Sequence, residues 1–476
     1  MRLPFTKQER ADPRVAVIGL DCAEPSLVFE RWADRLPNLR RLRERGAYGR
    51  LESSIPAITV PAWSCMTTGK DAGTLGVYGF RNRADYSYDG LEVANADAIK
   101  EPRLWDLASR ADKQSIVLGV PQTYPPRPIK GHLVASFLTP STDHEYTYPP
   151  ELRDEIREWI GEYEVDVSDF RTHDKERLLG DIYDGTRKRF EIARRLLDER
   201  EWDLFMMVEM GVDRIHHGFW KFMDPEHPLH EPNSTFKDAI RDYYEFVDEE
   251  IGTLLDRFDE DTHVLVVSDH GSQRMEGGIC LNEWLRREGY LVLKDSPGAA
   301  EGPVAFGEVK VDWARTRAWG AGGYYGRLFL NVEGREPHGV VPPEDYEALR
   351  DELAARLMEI GDPAGNPIPT SVYKPQEIYE RIRGIPPDLM IYFGDLAWRS
   401  IGSVGWDGIH VRENDTGPDG ANHARQGMFL YSDPSRDLEG RQLDGLELRQ
   451  IAPTVIKLLG LDVPYDMQAK PISFVR

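Results

Sequence analysis

Cysteine is scarce in this chain of 476 residues: there are three, Cys22, Cys65 and Cys280, with no close spacing among them. An odd, scattered set cannot build a disulfide framework, and it points to a reducing cytoplasm. Long apolar runs are missing too. No stretch approaches the roughly eighteen uninterrupted apolar residues of a membrane helix, so no span is expected. The opening MRLPFTKQERADPRV has no apolar segment of the kind a secretory signal carries. Basic charge is in deficit, with 59 Lys and Arg against 82 Asp and Glu and a formal charge of −23. That balance argues against wrapping a nucleic-acid polymer or docking on an anionic membrane. The acid excess is spread along the chain and points to solubility. No internal repeat or low-complexity tract interrupts it.

Short β-branched runs alternate with helical patterns. RVAVIGL, QSIVLGV, HLVAS, WDLFMMVEM and THVLVVS are nearly continuous apolar stretches, as strands covered on both faces require. PNLRRLRERG, PPELRDEIREWIGEY, KERLLGDIYDGTRKRFEIARRLLDER and FKDAIRDYYEFVDEEIGTLLDRF show helical spacing with one charged face. The alternation predicts an α/β fold with a doubly wound, largely parallel central sheet flanked by helices. Beyond His270 the rhythm changes to Gly- and Pro-rich pieces (SPGAAEGPVAFG, WGAGGYYG, DPAGNPIP) around one amphipathic helix, EDYEALRDELAARLMEI. A core over 10–290 and 396–476 is therefore expected, with 291–395 an inserted subdomain or lid.

Several oxygen and nitrogen ligands stand beside the apolar runs. Asp21 ends VAVIGLD, and Asp269 and His270 end HVLVVSDHG. Ligands bind at the carboxyl ends of strands in open α/β sheets, so these side chains face a crevice. Asp213 and His217 follow WDLFMMVEM four residues apart, which puts both on one face of a helical turn. His216 competes with His217, and the spacing favours His217. His423 sits in the loop DTGPDGANHARQG and supplies a nitrogen that the Asp213/His217 pair lacks. Thr59, in SIPAITVPAWSCMTTGK, stands at an expected helix start, where free N–H groups and the positive dipole end also favour phosphate. Ser64, Thr67 and Thr68 fall inside that helix. Singly, each is more often a cap, a turn residue or a packed side chain. Together they can hold two divalent cations and a hydroxyl nucleophile, which is equipment for phosphoryl transfer.

With those residues in place the chain resembles the alkaline phosphatase superfamily, and within it the type I phosphodiesterase/nucleotide pyrophosphatase branch, including its phosphohydrolase and phosphomutase group. The matching stretches are VIGLDCAEP, TVPAWSCMTTGK, GVPQTYPP, DRIHHGFWKFMDPEHP, VVSDHGSQ with LNEWLRREGYL, and IAPTVIKLLGLDVPYDM. The resemblance implies that Asp21, Thr59, Asp269 and His270 hold one metal, that Asp213, His217 and His423 hold the other, and that Thr59 is the nucleophile. Zinc is the implied metal, with manganese the alternative. Nucleotide pyrophosphatases carry an asparagine some way after the nucleophile, and counting along TGKDAGTLGVYGF puts Phe80 in that place. Lys70, Arg81 and Asn82 stand as substitutes. Leu75 occupies a position where relatives commonly have histidine.

The expected activity is two-metal hydrolysis of a small-molecule phosphate ester, a diester by preference, through a phosphothreonine intermediate. A phosphomutase or phosphomonoesterase would share the same first half-reaction, and a non-catalytic metal-binding protein is the alternative of a different class. A sulfatase is disfavoured because Cys65 is followed by MTTGK rather than by a formylglycine signature. Tyr324, Tyr325, Arg327 and Trp406 are expected wall or lid residues.

Overall fold

The computed structural model describes residues 13–295 and 302–474. The opening twelve residues, on which the reading of the N-terminus rests, and most of the SPGAAEG stretch lie outside the described residues.

The apolar runs assemble into one nine-stranded sheet. From edge to edge its order is Arg441–Glu447, Ala47–Glu52, Gln426–Ser432, Thr262–Val267, Arg14–Leu20, Leu204–Glu209, Ser115–Leu118, Gly131–Val134 and Thr147–Tyr148. Arg14–Leu20 lies in the middle, parallel to both neighbours. Five of the eight pairings are parallel; Gln426–Ser432 runs against both its neighbours, and Thr147–Tyr148 closes one edge antiparallel. The central strands are buried almost throughout, so helices must cover both faces. Lys175–Glu199, Gly211–Met223, Ala239–Leu255 and Pro37–Arg45 pack together in one group; Thr59–Thr68, Leu104–Arg110 and Ile451–Leu458 form another. The α/β, largely parallel architecture is the expected one. No helix among the described residues is long and apolar enough to cross a membrane.

A second apolar cluster, separate from the main core, runs from Ile279 to Val404. Its frame is a four-stranded antiparallel sheet of Ala318–Ala321, Gly326–Leu330, Leu389–Tyr392 and Ser371–Tyr373, backed by the helix Tyr346–Met358.

Register decides what meets at the sheet's edge. Leu20 pairs with Glu209, and Gly19 with Val267. Parallel strands in step end together, so the residues just beyond Leu20, Glu209 and Val267 share one rim. Asp21, Asp213 and Asp269 all lie within four residues of those ends. A short antiparallel ribbon, Gly271–Arg274 against Ala421–Ala424, sets Ser272 opposite His423 and so brings the late histidine to the same rim. Thr59 arrives there as the first residue of the helix Thr59–Thr68, every residue of which is buried. That helix lies against the central strand through Gly19: a Cβ there would come within 2.4 Å of Trp63 Cη2, closer than any side chain tolerates.

Candidate active site

Three carboxylates and three imidazoles share the rim with one threonine hydroxyl, all seven side chains nearly sealed from solvent. The ring nitrogens are arranged by a common device. His217 Nδ1 lies 2.7 Å from Asp419 Oδ1, His270 Nδ1 3.1 Å from the Gly271 carbonyl, and His423 Nδ1 3.0 Å from the Ala57 carbonyl. Each partner only accepts, so the network assigns a proton to each Nδ1 and turns each Nε2 inward. His270 Nε2 lies 3.2 Å from Asp269 Oδ2, 3.9 Å from Asp21 Oδ1 and 3.4 Å from Thr59 Oγ1. His217 Nε2 and His423 Nε2 lie 3.2 and 3.7 Å from Asp213 Oδ1. The His270 and His423 rings stack at 3.8 Å and join the two sets.

Five of these buried atoms have no hydrogen-bond partner: Asp21 Oδ1, Asp213 Oδ1, His217 Nε2, Asp269 Oδ2 and His423 Nε2. Leaving one such atom unmet costs about 1–3 kcal/mol. Five facing one another would cost several times that in a metal-free protein, and cations between them remove the cost. Asp21, Asp269 and His270 present ligand atoms within 4.8 Å of one another, as do Asp213, His217 and His423. The oxygen and imidazole donors of both triads suit zinc, a borderline ion, and permit the harder manganese. Cys22 reaches a third such group with His270 and His423. Its thiol donates to the Gly271 carbonyl at 3.3 Å, and burial, followed by the charge of Asp213, pushes its pKa well up.

Charge tells the same story. Burial, then the nearby Asp213, holds the Asp21 carboxyl well above the ordinary range; burial, then Asp21, does the same to Asp269. Burial also disfavours a charged Asp213, but His217 and Arg214 outweigh it and hold its pKa low. Burial likewise opposes a charged His217, and Asp419 with Asp213 overcomes it and raises its pKa. Burial lowers His270 to about 4, and burial with the neighbouring His270 lowers His423. Cations bound there would favour the ionised carboxylates and neutral imidazoles of the cluster.

A supporting layer fixes the ligands. The Trp63 indole N–H donates to Asp21 Oδ2 at 2.6 Å, and the Cys22 amide to Asp269 Oδ1 at 3.2 Å. Arg214 joins Asp213 to Asp166. Asp419 accepts from His217, from Arg171 Nε at 2.9 Å and from Arg399 Nη1 at 3.0 Å. Asp419, Arg171, Arg214 and Arg399 were missed in the sequence. Asp419 alone left a signal there, as an acid in the same Gly-rich loop as His423.

The rival side chains are occupied elsewhere. His216 is buried against Tyr244, whose hydroxyl lies 3.1 Å from Nε2, and burial takes its pKa to about 3. The hydroxyls of Ser64, Thr67 and Thr68 donate to carbonyls one turn back in their own helix. Of the two expected substrate contacts, Lys70 is paired with Asp466 at 2.5 Å and Glu101 at 3.2 Å. Asn82 closes a turn, accepting from the Tyr78 amide and donating to the Gly79 carbonyl. Neither lines the pocket before the rim.

That pocket, about 530 Å³, has its apolar lining from the main core. Ile58 and Arg214, each next to a rim residue, form part of its wall, as does Tyr324, which stacks on His423 at 3.8 Å. Tyr325 and Arg327 line it too. Trp406 does not; its indole donates to Ser403 Oγ. Phe80 packs against Phe137 and Tyr324.

The profile of a protein family described as type I phosphodiesterase / nucleotide pyrophosphatase matches residues 15–423. No curated protein sequence matches the chain. Among solved structures, human ectonucleotide pyrophosphatase/phosphodiesterase 5 is similar over 97% of each chain, with 13% identity and a TM-score of 0.54. The murine protein of that name, in an inactive form in complex with AMP, is similar over 97% of this chain and 98% of its own, with 14% identity and a TM-score of 0.55. At such identities the likeness is one of fold.

Proposed function

Because the chain belongs to the type I phosphodiesterase/nucleotide pyrophosphatase family, a family of metal-dependent phosphoric ester hydrolases, we propose that it cleaves a small-molecule phosphodiester at two divalent cations through a phosphothreonine intermediate. The observation that carries this reading is the set of five unpartnered, buried ligand atoms facing one another beside the Thr59 hydroxyl. Asp21, Asp269 and His270, with Thr59, would hold one cation; Asp213, His217 and His423 would hold the other. Zinc is the first choice and manganese the second.

Bound there, the cations supply a lowered hydroxyl pKa and positive charge against the phosphoryl oxygens. The protein's own part is positioning. Thr59 Oγ stands at the first turn of a buried helix whose N–H groups and dipole favour an anion in front of it. Its oxygen adds to phosphorus as the bond to the leaving ester oxygen breaks, and water then cleaves the threonine ester to regenerate the hydroxyl. The AMP complex of the murine protein suggests nucleotide substrates. Phe80 in place of the expected asparagine argues for a pocket read differently in this chain.

The test combines metal analysis with a phosphoester panel on wild type and Thr59→Ala. Two cations per chain, turnover of bis(4-nitrophenyl) phosphate, a phosphorylated Thr59 peptide after acid quenching, and a loss of roughly 10⁴-fold or more in the variant are expected. Full activity in Thr59→Ala refutes the nucleophile. Absence of turnover with every divalent ion favours a non-catalytic binding protein.

A further inference from the structure

The side-chain charges lining the pocket run against the composition of the chain. The protein carries 82 acidic and 59 basic residues, yet the lining holds five arginines, Arg81, Arg171, Arg214, Arg327 and Arg399, against one acid, Asp166. Three of those five guanidinium groups are already matched: Arg171 and Arg399 by Asp419, Arg214 by Asp166 and Asp213. Arg81 and Arg327 differ. Both line the pocket, Arg81 exposed and Arg327 half-buried, and among the described residues neither forms an ion pair with a carboxylate. Arg327 is steadied by carbonyls alone, donating through Nη1 to Arg81 at 2.9 Å and through Nη2 to Gly322 at 3.4 Å. A guanidinium has five N–H groups, so most of its donors are left over. Gly79 stands beside it: a Cβ there would lie 3.7 Å from Nη1.

We propose that Arg81 and Arg327 form a subsite for a second anionic group of the substrate, so that the ester cleaved carries a carboxylate or a further phosphate on the arm lying in this pocket. The inference rests on the phosphodiesterase reading above. A guanidinium with open donors in a pocket lining recognises such a group through paired, charge-assisted hydrogen bonds. The same lining includes Phe80, Phe137 and Phe170, an apolar surface for the carbon skeleton between the two anions. A substrate with a neutral arm would leave the two charges to water.

The experiment uses the full chain loaded with divalent cation and three diesters with one leaving group: 4-nitrophenyl ethyl phosphate, 4-nitrophenyl 2-carboxyethyl phosphate and 4-nitrophenyl 2-phosphonoethyl phosphate. One or both charged esters should exceed the ethyl ester in kcat/KM by about tenfold or more, the worth of one charge-assisted hydrogen bond, and which one does so separates carboxylate from phosphate recognition. Arg81→Gln and Arg327→Gln should each reduce that ratio about tenfold, mainly through KM, with Arg327→Lys keeping more of it than Arg327→Gln. A ratio near one in wild type, or a ratio that both Gln variants leave intact, overturns the subsite. Binding of ethylphosphonate, 3-phosphonopropanoate and 1,2-ethanediphosphonate to the same proteins, measured by calorimetry, reports the second anion without turnover. If no diester is hydrolysed, the phosphodiesterase reading fails. The subsite then stands if the doubly charged phosphonates bind more tightly in wild type alone, and falls if they do not.

Discussion

Asp419→Asn should weaken one metal triad and spare the other. Asp419 Oδ1 accepts from His217 Nδ1 at 2.7 Å and from the Ala421 amide at 3.3 Å; Oδ2 accepts from Arg171 at 2.9 Å and Arg399 at 3.0 Å. Two oxygens thus serve four donors, and burial is outweighed by His217 and Arg171 in keeping the carboxyl ionised. Asparagine has a single oxygen. Turned toward His217, it points its NH₂ group at two guanidinium groups. Turned toward the arginines, it offers His217 Nδ1 a donor, which drives the ring proton to Nε2 and into the space between Asp213 and His423. Disruption of such a support typically costs 10–100-fold in metal affinity, about 1.4–2.8 kcal/mol. Removal of one partner from a buried charge cluster costs about 3–5 kcal/mol in stability. Chelator competition followed by elemental analysis should show one cation released at 10–100-fold lower chelator concentration than in wild type and the other unchanged, because Asp21, Asp269 and His270 have no contact with Asp419. Equal weakening of both cations, or of neither, refutes the reasoning.

Three further outcomes are expected. His217→Gln should reduce the bound metal from two ions to one, whereas His216→Gln should leave two and lower only the melting temperature, since His216 faces Tyr244; elemental analysis of both variants decides. Gly19→Ala should destabilise the protein by about 1–3 kcal/mol in urea unfolding and lower affinity at the Asp21 triad, because the new methyl group meets Trp63 and displaces its indole from Asp21. Metal uptake near neutral pH should release protons and tighten as pH rises. Asp21, Asp269 and His217 have raised pKa values, so a bound cation would displace their protons into solvent, while His270 and His423, with lowered values, have few to release. Calorimetry in buffers of different ionisation enthalpy measures the release, and affinity independent of pH would contradict it.

The rim residues were legible because each ends or follows a run of apolar residues, and a parallel sheet converts that position into proximity. Asp21, Asp213 and Asp269 needed no more than strand ends in register. His423 was harder, since the ribbon that carries it is four residues long on each side and has no periodic signal. The arginines around the site were invisible for a different reason. Arg171, Arg214 and Arg399 act through partners distant in the chain, and a charged residue destined for burial looks the same in sequence as one on the surface. Lys70 shows the converse: its place after the helix that Thr59 opens suggested a phosphate contact, and nothing local announced Glu101 and Asp466. The change of rhythm over 291–395 suggested an inserted subdomain or lid there; the second apolar cluster starts at Ile279 and ends at Val404.

The ribbon that delivers His423 also sets a timetable for biosynthesis. A ribosome releases Asp21, Thr59, Asp213 and Asp269 long before the segment that answers Gly271–Arg274 has been made. Until that segment emerges, the nascent chain holds acids clustered at an unfinished edge, and non-local closure of this kind is slow and exposed to misassembly. A polypeptide halted shortly before Ala421 would possess one complete triad and two thirds of the other, so a stalled or proteolysed product should capture a single cation and never the pair.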